Sequence, residues 1–438
     1  MVANAMRGII EGASRRDFFK LSGAAALAAG GAGMLSSCSS EGGDDQGLTH
    51  ATWNVPASIA SLKDLIKDYD GPGKPVSVTS TPADNPTSWL STRLASDTAP
   101  EVMTWTYQTL GRFADKGLID LSEYLPSDYG QDFLGSYWGG VTMKGGTFAV
   151  PLHTNGWGTF MNVDIMDKIG VDVPKGHADA WDWDEFEEIA REVKKATGKY
   201  AFSWFLVGSD TASRWLPVLY MHGGAVLNED QSAPAIDSPE GIEAIEWTRT
   251  WFEDGLMSPS NSLKASKAQT AETLFANEQV GMMIASDFKM LAIKDKMPEE
   301  KWTVGPLFRD VEEATNLGGN ALVVTSTAAD PEAAAEYVKY MCSADSMKAF
   351  CEASSFVPAR KSLVDEGLEW DYRPEAMQMF AQNSKLVPEA MASLETMPQF
   401  SEIAALMTDQ LELCWTGQQA SSDTATAISD GIKRILAK

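Results

Sequence analysis

The chain has 438 residues, of which 44% are hydrophobic and 9% aromatic, a composition that can fill two buried cores. Its 61 acidic and 35 basic residues give a formal net charge of −26 at pH 7, which repels phosphate backbones and excludes nucleic acid as an expected partner. No run of about 20 apolar residues follows the N-terminal region, so an ordinary transmembrane helix is not predicted in the body of the chain.

The N-terminal region has the pattern of an export signal followed by a tether. Ser14 to Lys20 reads S-R-R-D-F-F-K, an Ala- and Gly-rich apolar stretch follows, and L-S-S-C ends at Cys38. This order resembles a twin-arginine export signal joined to a lipoprotein cleavage box, although a short buried helix is the structural alternative. We therefore predict a signal peptide over 1–37, lipidation of Cys38, a flexible tether over 38–47, and an exported protein anchored to the outer face of the cytoplasmic membrane.

The segment after the tether predicts a βαβαβ unit. Strand-like runs at 48–55, 76–80 and 101–105 alternate with two amphipathic helical patterns, which favours right-handed crossovers over a mainly parallel sheet. Ligands bind beyond the carboxyl ends of strands in such sheets. The candidate ligand-binding residues at these strand ends are Trp53, Asn54, Trp105 and Tyr107.

The stretch TFAVPLHTNGWGTFMN, from Thr147 to Asn162, predicts the junction of two lobes. A first apolar run ends before Pro151 and a second begins at Thr159, so a polar and aromatic break separates two strand candidates. Ligand sites favour crevices between domains. We therefore expect a hinge here that places His153, Asn155 and Trp157 in a cleft.

The second half of the chain contributes a further set of candidates. Strands are predicted over 201–206, which contains Trp204, and over 280–285, followed directly by Asp287 and Phe288. A third strand, over 316–325, is entered through two glycines that permit close backbone approach, and it is interpreted as the second crossing between lobes. Its candidate site residues are Gly319 and Asn320.

The cysteines do not predict a disulfide or a metal site. Cys342 and Cys351 are expected within one helix about 13 Å apart along its axis, too far for a disulfide, and Cys414 is left over. Buried free thiols are expected, and no zinc-binding spacing is present. No metal and no cofactor are predicted.

Several segments together resemble one known family. In chain order they are PEVMTWTYQTLGRFADKGLIDLSEYL, GGTFAVPLHTNGWGTFMNVDIMDKIGV, WDWDEFEEIA, FANEQVGMMIAS, GGNALVVTSTAADPEAAAEYVKYM and FVPAR. The chain resembles the extracellular solute-binding proteins of ABC importers, and within them the sugar-binding branch that includes the maltodextrin-binding proteins. The resemblance covers nearly the whole chain after the signal and agrees with a lipidated export signal.

The resemblance implies an α/β, two-lobed, type II periplasmic-binding-protein-like fold in which each lobe has a mainly parallel sheet flanked by helices. The predicted boundaries are 48–152 with 317–365 for lobe 1 and 153–316 with 366–438 for lobe 2. The implied function is capture of a sugar or oligosaccharide, without catalysis, by a monomer that delivers it to the membrane subunits of an ABC permease. Two departures leave the particular sugar open, because Ser286-Asp287-Phe288 stands where relatives often have Gly-x-Trp, and His153 and Trp157 replace small or tyrosine residues in the hinge.

Two other functions stay open at this stage. A cleft with acidic and aromatic side chains could bind a polyamine or another cationic solute. A secreted enzyme that acts on glycosides with paired carboxylates is the alternative of another class, although no nucleophile elbow, P-loop or dinucleotide motif supports it.

Overall fold

The strands of the computed structural model form two mixed sheets and one short hairpin. The structure describes residues 47–53, 55–82, 85–204, 206, 211–259 and 269–438. The described strands are β1 (Thr49–Trp53), β2 (Ser77–Thr81), β3 (Val102–Thr106), β4 (Thr142–Met143), β5 (Gly146–Thr147), β6 (Val150–Thr154), β7 (Trp157–Asn162), β8 (Tyr200–Trp204), β9 (Val280–Ser286), β10 (Trp302–Gly305), β11 (Asn320–Val324) and β12 (Val357–Pro358).

Helices connect these strands and cover the sheets. The α-helices in the described part of the chain are α1 (Pro56–Asp68), α2 (Pro86–Ala95), α3 (Gly135–Val141), α4 (Val163–Ile169), α5 (Trp183–Thr197), α6 (Thr211–Met221), α7 (Pro239–Glu253), α8 (Ala271–Ala276), α9 (Lys289–Lys294), α10 (Pro331–Met341), α11 (Ala344–Ser354), α12 (Lys361–Glu366), α13 (Pro374–Asn383), α14 (Glu389–Thr396), α15 (Phe400–Trp415) and α16 (Ser421–Leu436).

The sheets are mixed, which corrects the prediction that they are mainly parallel. Sheet 1 has the order β12-β6-β11-β3-β1-β2, and only β1 pairs in parallel, with β2 and β3. Sheet 2 has the order β10-β7-β9-β8, and only β8 and β9 are parallel. The predicted βαβαβ unit supplies the parallel pairs of sheet 1. Every antiparallel pair in the two sheets includes β6, β7 or β11, the strands next to the points where the chain passes between the sheets.

The chain passes between the sheets at the predicted hinge. Strand β6 belongs to sheet 1 and β7 to sheet 2, and only Asn155 and Gly156 lie between them. Strand β6 starts at Val150 and includes Pro151, so the prediction that Pro151 ends a strand was wrong. The chain returns to sheet 1 between β10 and β11, as the two-glycine entry predicted. The lobe boundaries stay a prediction.

Local sequence signals fix several helix starts. The side chain of Asp182 accepts from the backbone N–H of Glu185, and the Glu185 carboxylate accepts from the N–H of Asp182, so the predicted capping box is confirmed at α5. Asp330 caps α10 by accepting from the N–H of Ala333, with Pro331 at the first helical position. These caps satisfy N–H groups that have no partner inside a helix.

The C-terminal helices lie against elements next to both sheets. Helices α15 and α16 pack on each other and on α7, whereas α14 packs on α3 and on the 3-10 helix Tyr107–Arg112 that follows β3. Cys342 follows the end of α10 and Cys351 lies in α11, so the prediction that one helix holds both was wrong. Cys342, Cys351 and Cys414 are buried and free, as expected. Among the described helices, none has the length and apolarity needed to cross a bilayer.

Gly319 lies where the second crossing approaches the first. Its φ is +88°, and a Cβ there would lie 2.2 Å from the carbonyl oxygen of His153 and 2.4 Å from the Cα of Thr154. Gly145, in the hairpin turn between β4 and β5, has a similar φ of +83° but nothing within 4 Å of its would-be Cβ. A comparison of alanine substitutions at these two positions therefore separates the cost of the left-handed backbone conformation from the cost of a steric clash.

We expect Gly145→Ala to cost about 1 kcal/mol of unfolding free energy, because only the left-handed conformation is penalised. Gly319→Ala should cost at least about 2 kcal/mol more, because backbone atoms must also move apart. Urea unfolding of both variants checks this, and equal losses would show that the crossings can separate without cost.

Candidate functional site

A cavity of about 480 Å³ lies at the point where the two crossings meet the ends of strands from both sheets. Residues from β3, the β6–β7 crossing, the end of β9 and the segment before β11 line it, together with the first turns of α2, α6 and α15. Its polar lining includes Asn85, Thr106, Gln108, Asn155, Ser213 and Asn316; its aromatic residues are Trp157, Phe288 and Phe400; and its charged residues are Arg112 and Arg214.

Gln108 connects the end of β3 to the other side of the cavity. Its Nε2 donates to the carbonyl oxygen of Leu317 at 2.6 Å and to Oε2 of the buried Glu395 in α14 at 2.8 Å. Asn316 makes a similar connection, since its Nδ2 donates to the carbonyl oxygen of Ser213 at 2.6 Å. The Oδ1 of Asn316, at a residue only 4% exposed, accepts no hydrogen bond from the described residues. This oxygen is closed off from solvent, so it is a buried acceptor without a partner among the described residues.

The first crossing is bonded to the end of β9. Nδ2 of Asn155 donates to Oδ1 of Asp287 at 2.9 Å, and the N–H of Asp287 donates to the carbonyl oxygen of Gly156 at 3.0 Å. Burial raises the pKa of the Asp287 carboxyl to about 7, and the hydrogen bonds from Asn155 and from the N–H of Phe288 oppose that rise. Asp287 is 1% exposed and supports the crossing from behind the lining.

Four of the predicted site residues line the cavity. They are Asn155, Trp157, Phe288 and Gly319. Phe288 is 41% exposed, whereas Trp157 is 4% exposed and also holds α13, because its carbonyl oxygen accepts from Nδ2 of Asn383.

Five predicted residues form a cluster in sheet 1 next to the cavity without lining it. Nε1 of Trp53 donates to Oδ1 of Asn320 at 3.0 Å, and the Trp53 ring stacks on Trp105 with centroids 6.0 Å apart. The Tyr107 hydroxyl donates to the carbonyl oxygen of Asn320 at 3.3 Å, and Nε2 of His153 lies 3.0 Å from Nδ2 of Asn320. Trp53 is half-buried, and Trp105, Tyr107 and His153 are almost fully buried. This cluster joins β1, β3, β6 and β11.

His153 is neutral at physiological pH in this cluster. Burial lowers its pKa to about 4, against the contribution of the Thr154 carbonyl oxygen 3.3 Å from Nδ1. Its ring stacks on Phe356 with centroids 4.1 Å apart. It is thus a packed, hydrogen-bonded residue of the sheet.

Trp204 lies away from the cavity. It is fully buried and stacks on Trp251, with centroids 5.8 Å apart, in the core behind sheet 2. Asn54 and Cys38 lie outside the described residues.

The sequence analysis did not single out most of the polar and charged lining. Gln108 and Arg112 follow the predicted third strand within seven residues, so their position just beyond a strand end was a usable signal. Arg214, Asn316 and Phe400 come from three distant segments, and no local pattern indicates that these segments converge.

Comparison with known proteins agrees with this architecture. The family model described as "Bacterial extracellular solute-binding protein" matches residues 60–378. The chain belongs to this family. It is 22% identical to the multiple sugar-binding protein of Streptococcus mutans over 70% of this chain and 74% of that protein.

Two solved structures are similar to this protein over nearly their whole length. One is an ABC transporter solute-binding protein of Thermotoga lettingae bound to α-D-tagatose, with a TM-score of 0.71, 20% identity, and coverage of 90% of this chain and 100% of that chain. The other is the GacH receptor of Streptomyces glaucescens, solved unliganded and with acarbose, with a TM-score of 0.72, 21% identity, and coverage of 90% and 100%. The protein therefore has the two-lobed periplasmic-binding-protein fold of type II, which confirms the predicted fold class.

Asp287 should make the unfolding free energy of the protein depend on pH. Its folded-state pKa of about 7 lies above the value of 3.8 expected in the unfolded chain, so the native state binds more protons between these values. The stabilisation from protonated Asp287 is complete below about pH 4 and is lost as pH rises through 7. Asn cannot ionise, so the unfolding free energy of Asp287→Asn does not fall in this way. Its difference from the wild-type value should therefore increase by about 2 kcal/mol from pH 5 to pH 8, in favour of the variant.

Urea unfolding at several pH values measures this difference, and Asp120→Asn is the control. The backbone N–H groups of Ser122 and Thr147 donate to Asp120, and they hold the pKa of its carboxyl below the usual range despite partial burial. Stability from Asp120 is therefore lost only in acid, and its variant should differ from the wild type by a constant amount between pH 6 and pH 8. A flat difference for Asp287→Asn would contradict the assignment.

Proposed function

We propose that this protein captures a sugar or oligosaccharide in the cavity between its sheets and presents it to an ABC permease without breaking a covalent bond. The observation that carries the proposal is the cavity itself, in which aromatic rings and planar amide side chains from both sheets converge. Three similar proteins support a sugar as the ligand class of this chain: the multiple sugar-binding protein, the solute-binding protein bound to α-D-tagatose, and the GacH receptor solved with acarbose.

The lining suits the chemistry of a pyranose ring. A pyranose has an apolar C–H face, for which Phe288 offers an exposed aromatic platform, with Trp157 and Phe400 alongside it. The hydroxyl groups around the ring need partners, and Gln108, Asn155 and Asn316 supply amide groups. Leaving such a buried partner unpaired costs about 1 to 3 kcal/mol, which gives selectivity among sugars.

Ligand capture would favour a closed arrangement of the lobes. The lining comes from elements that belong to both sheets, so a ligand gains its full set of contacts only when both sides reach it. Short crossings such as Asn155 and Gly156 are the type of segment that absorbs a hinge rotation. The permease would then recognise the closed form of a monomer.

The two alternatives find less support in the cavity. A cationic solute needs acidic partners, yet neither Asp nor Glu occurs among the described residues that line the cavity. A glycoside-acting enzyme needs two carboxyl groups facing its substrate, and the same lining lacks them. Among the described residues there is also no cluster of His, Cys, Asp and Glu that could hold a metal ion.

We predict that Phe288→Ala weakens sugar binding about tenfold, because it removes an aromatic platform worth about 1.4 kcal/mol. Isothermal titration of the purified chain with sugars that stabilise it in a thermal-shift screen measures the loss. A ligand at 100 times its dissociation constant adds about 2.7 kcal/mol of stability, which such a screen detects.

Tyr200→Ala is the matched control, since Tyr200 is also 41% exposed but lies at the start of β8, away from the cavity. It should bind sugar with unchanged affinity. Release of sugar products during incubation would instead show an enzyme, and unchanged affinity of Phe288→Ala would remove the platform from the proposal.

We further propose that the chain is exported through the twin-arginine route and anchored by a lipid on Cys38. The motif S-R-R-D-F-F-K and the box L-S-S-C support this, and an anchor on a short tether keeps the protein close to its permease. Cys38→Ser should move the protein from the detergent phase to the aqueous phase on Triton X-114 partitioning of whole cells. Replacing both Arg15 and Arg16 by Lys should instead retain the unprocessed precursor, and equal partitioning of the wild type and Cys38→Ser would contradict anchoring.

A further inference from the structure

The charge of the cavity lining is opposite to that of the chain. The chain carries 61 acidic and 35 basic residues, but the charged residues among the described lining are two arginines, Arg112 and Arg214. Arg112 ends the 3-10 helix that follows β3 of sheet 1, and Arg214 lies in the first turn of α6, which follows β8 of sheet 2. A positive side chain therefore reaches the cavity from each side.

Three helices add to this positive potential, because their N-terminal ends face the cavity. Thr87 lies in the first turn of α2, Ser213 in the first turn of α6, and Ser401 in the first turn of α15, and all three line the cavity. A helix N-terminus carries a partial positive charge of about half a unit from its aligned peptide dipoles. Anionic groups are accordingly favoured near such ends.

In the described part of the chain, carboxylates pair with Arg191, Arg249 and Arg360 but not with Arg112. Arg191 pairs with Glu187 and Asp254, whereas Arg112 forms neither an ion pair nor a hydrogen bond with a described residue and is exposed. Leaving a guanidinium without a carboxylate partner in so acidic a chain makes it available to a carboxylate or sulfate from outside, which its planar fork binds through two hydrogen bonds.

The cavity also has amide and hydroxyl side chains beside its arginines. Thr106, Asn155 and Ser213 line the same cavity as Arg112 and Arg214. An inorganic anion such as sulfate has no hydroxyl groups to donate to the oxygens of these side chains at neutral pH. A sugar that carries an acidic group can bond both to these side chains and to the Arg112 guanidinium.

We infer that the ligand is an acidic carbohydrate, a sugar or short oligosaccharide that bears a carboxylate or a sulfate group, held by Arg112 and Arg214. This inference rests on the proposed function and narrows its ligand class. The acidic group lies between guanidinium groups from the two sheets, so the charge contacts assist closure as well as affinity. The other sugar hydroxyls contact the amide and hydroxyl side chains of the lining, Asn155 and Ser213 among them.

The test compares matched disaccharides by thermal shift and isothermal titration on the purified full chain. The probes are galacturonic acid disaccharides, glucuronic acid disaccharides, sulfated disaccharides, and the neutral disaccharide of the same linkage for each. We expect an acidic probe to bind at least about tenfold more tightly than its neutral counterpart, with the advantage reduced in 1 M salt. Whether the uronate or the sulfate probes show the advantage identifies the acidic group.

Arg112→Gln and Arg214→Gln should each lower the affinity for the acidic probe about tenfold and leave that for the neutral counterpart within about threefold. Arg112→Gln removes no described contact and is expected to fold normally. Arg93→Gln is the matched control, because Arg93 lies in α2 outside the lining, with its guanidinium 5.3 Å from the centre of the Trp89 ring.

The outcomes separate this inference from the proposed function. Tighter or equal binding of the neutral probe, with both arginine variants unchanged, would overturn the acidic ligand and leave a neutral sugar-binding protein. Stabilisation by none of the sugars would overturn both statements together. A selective loss in the two cavity variants but not in Arg93→Gln supports the inference.

Discussion

The cavity depends on the hydrogen-bonded passage of the chain from sheet 1 to sheet 2. Asn155 and Gly156 are the only residues between β6 and β7, and both are bonded to Asp287 at the end of β9. The carboxyl group of Asp287 is buried, and without Asn155 its Oδ1 would keep, among the described donors, only the N–H of Phe288, at a cost of about 1 kcal/mol for the lost hydrogen bond. The crossing is thereby kept in register with sheet 2 while it still has two backbone residues that can rotate.

The aromatic residues near the crossings divide into two groups with different roles. Trp53, Trp105 and His153 interlock in sheet 1 through stacking and hydrogen bonds to Asn320, and they hold the strand ends in place. Phe288 instead lies after the end of β9 with two-fifths of its surface exposed and faces the cavity. The packing of the first group supports the strand ends next to the cavity, which lowers the entropy cost of ordering side chains on binding.

Many helices and strands could be predicted from the sequence because their signals are local, whereas the type II fold class followed from the family resemblance. Alternation of strands and amphipathic helices, the capping box at Asp182 and the break at Asn155 each lie within a short window. Strand direction was predicted less well, because pairing between segments as distant as β6 and β11 is set by the crossings and by no local pattern. For the same reason, Arg214, Asn316 and Phe400 were missed, whereas Gln108 and Arg112 could have been found from their place after β3.

The segment Ser286-Asp287-Phe288 shows how one short stretch can serve both the cavity and the fold. Ser286 and Phe288 line the cavity, but Asp287 between them bonds to the crossing, so neighbouring residues at the end of β9 and in the turn after it have separate tasks. Substitution at Phe288 would alter the aromatic surface of the cavity and its contact with Lys289, whereas substitution at Asp287 would act on the crossing. Solved structures about 20% identical to this chain share its fold. The fold therefore persists when most residues differ. On the function proposed above, ligand choice would depend on the residues that line the cavity, including Arg112 at the end of the 3-10 helix and Arg214 in the first turn of α6.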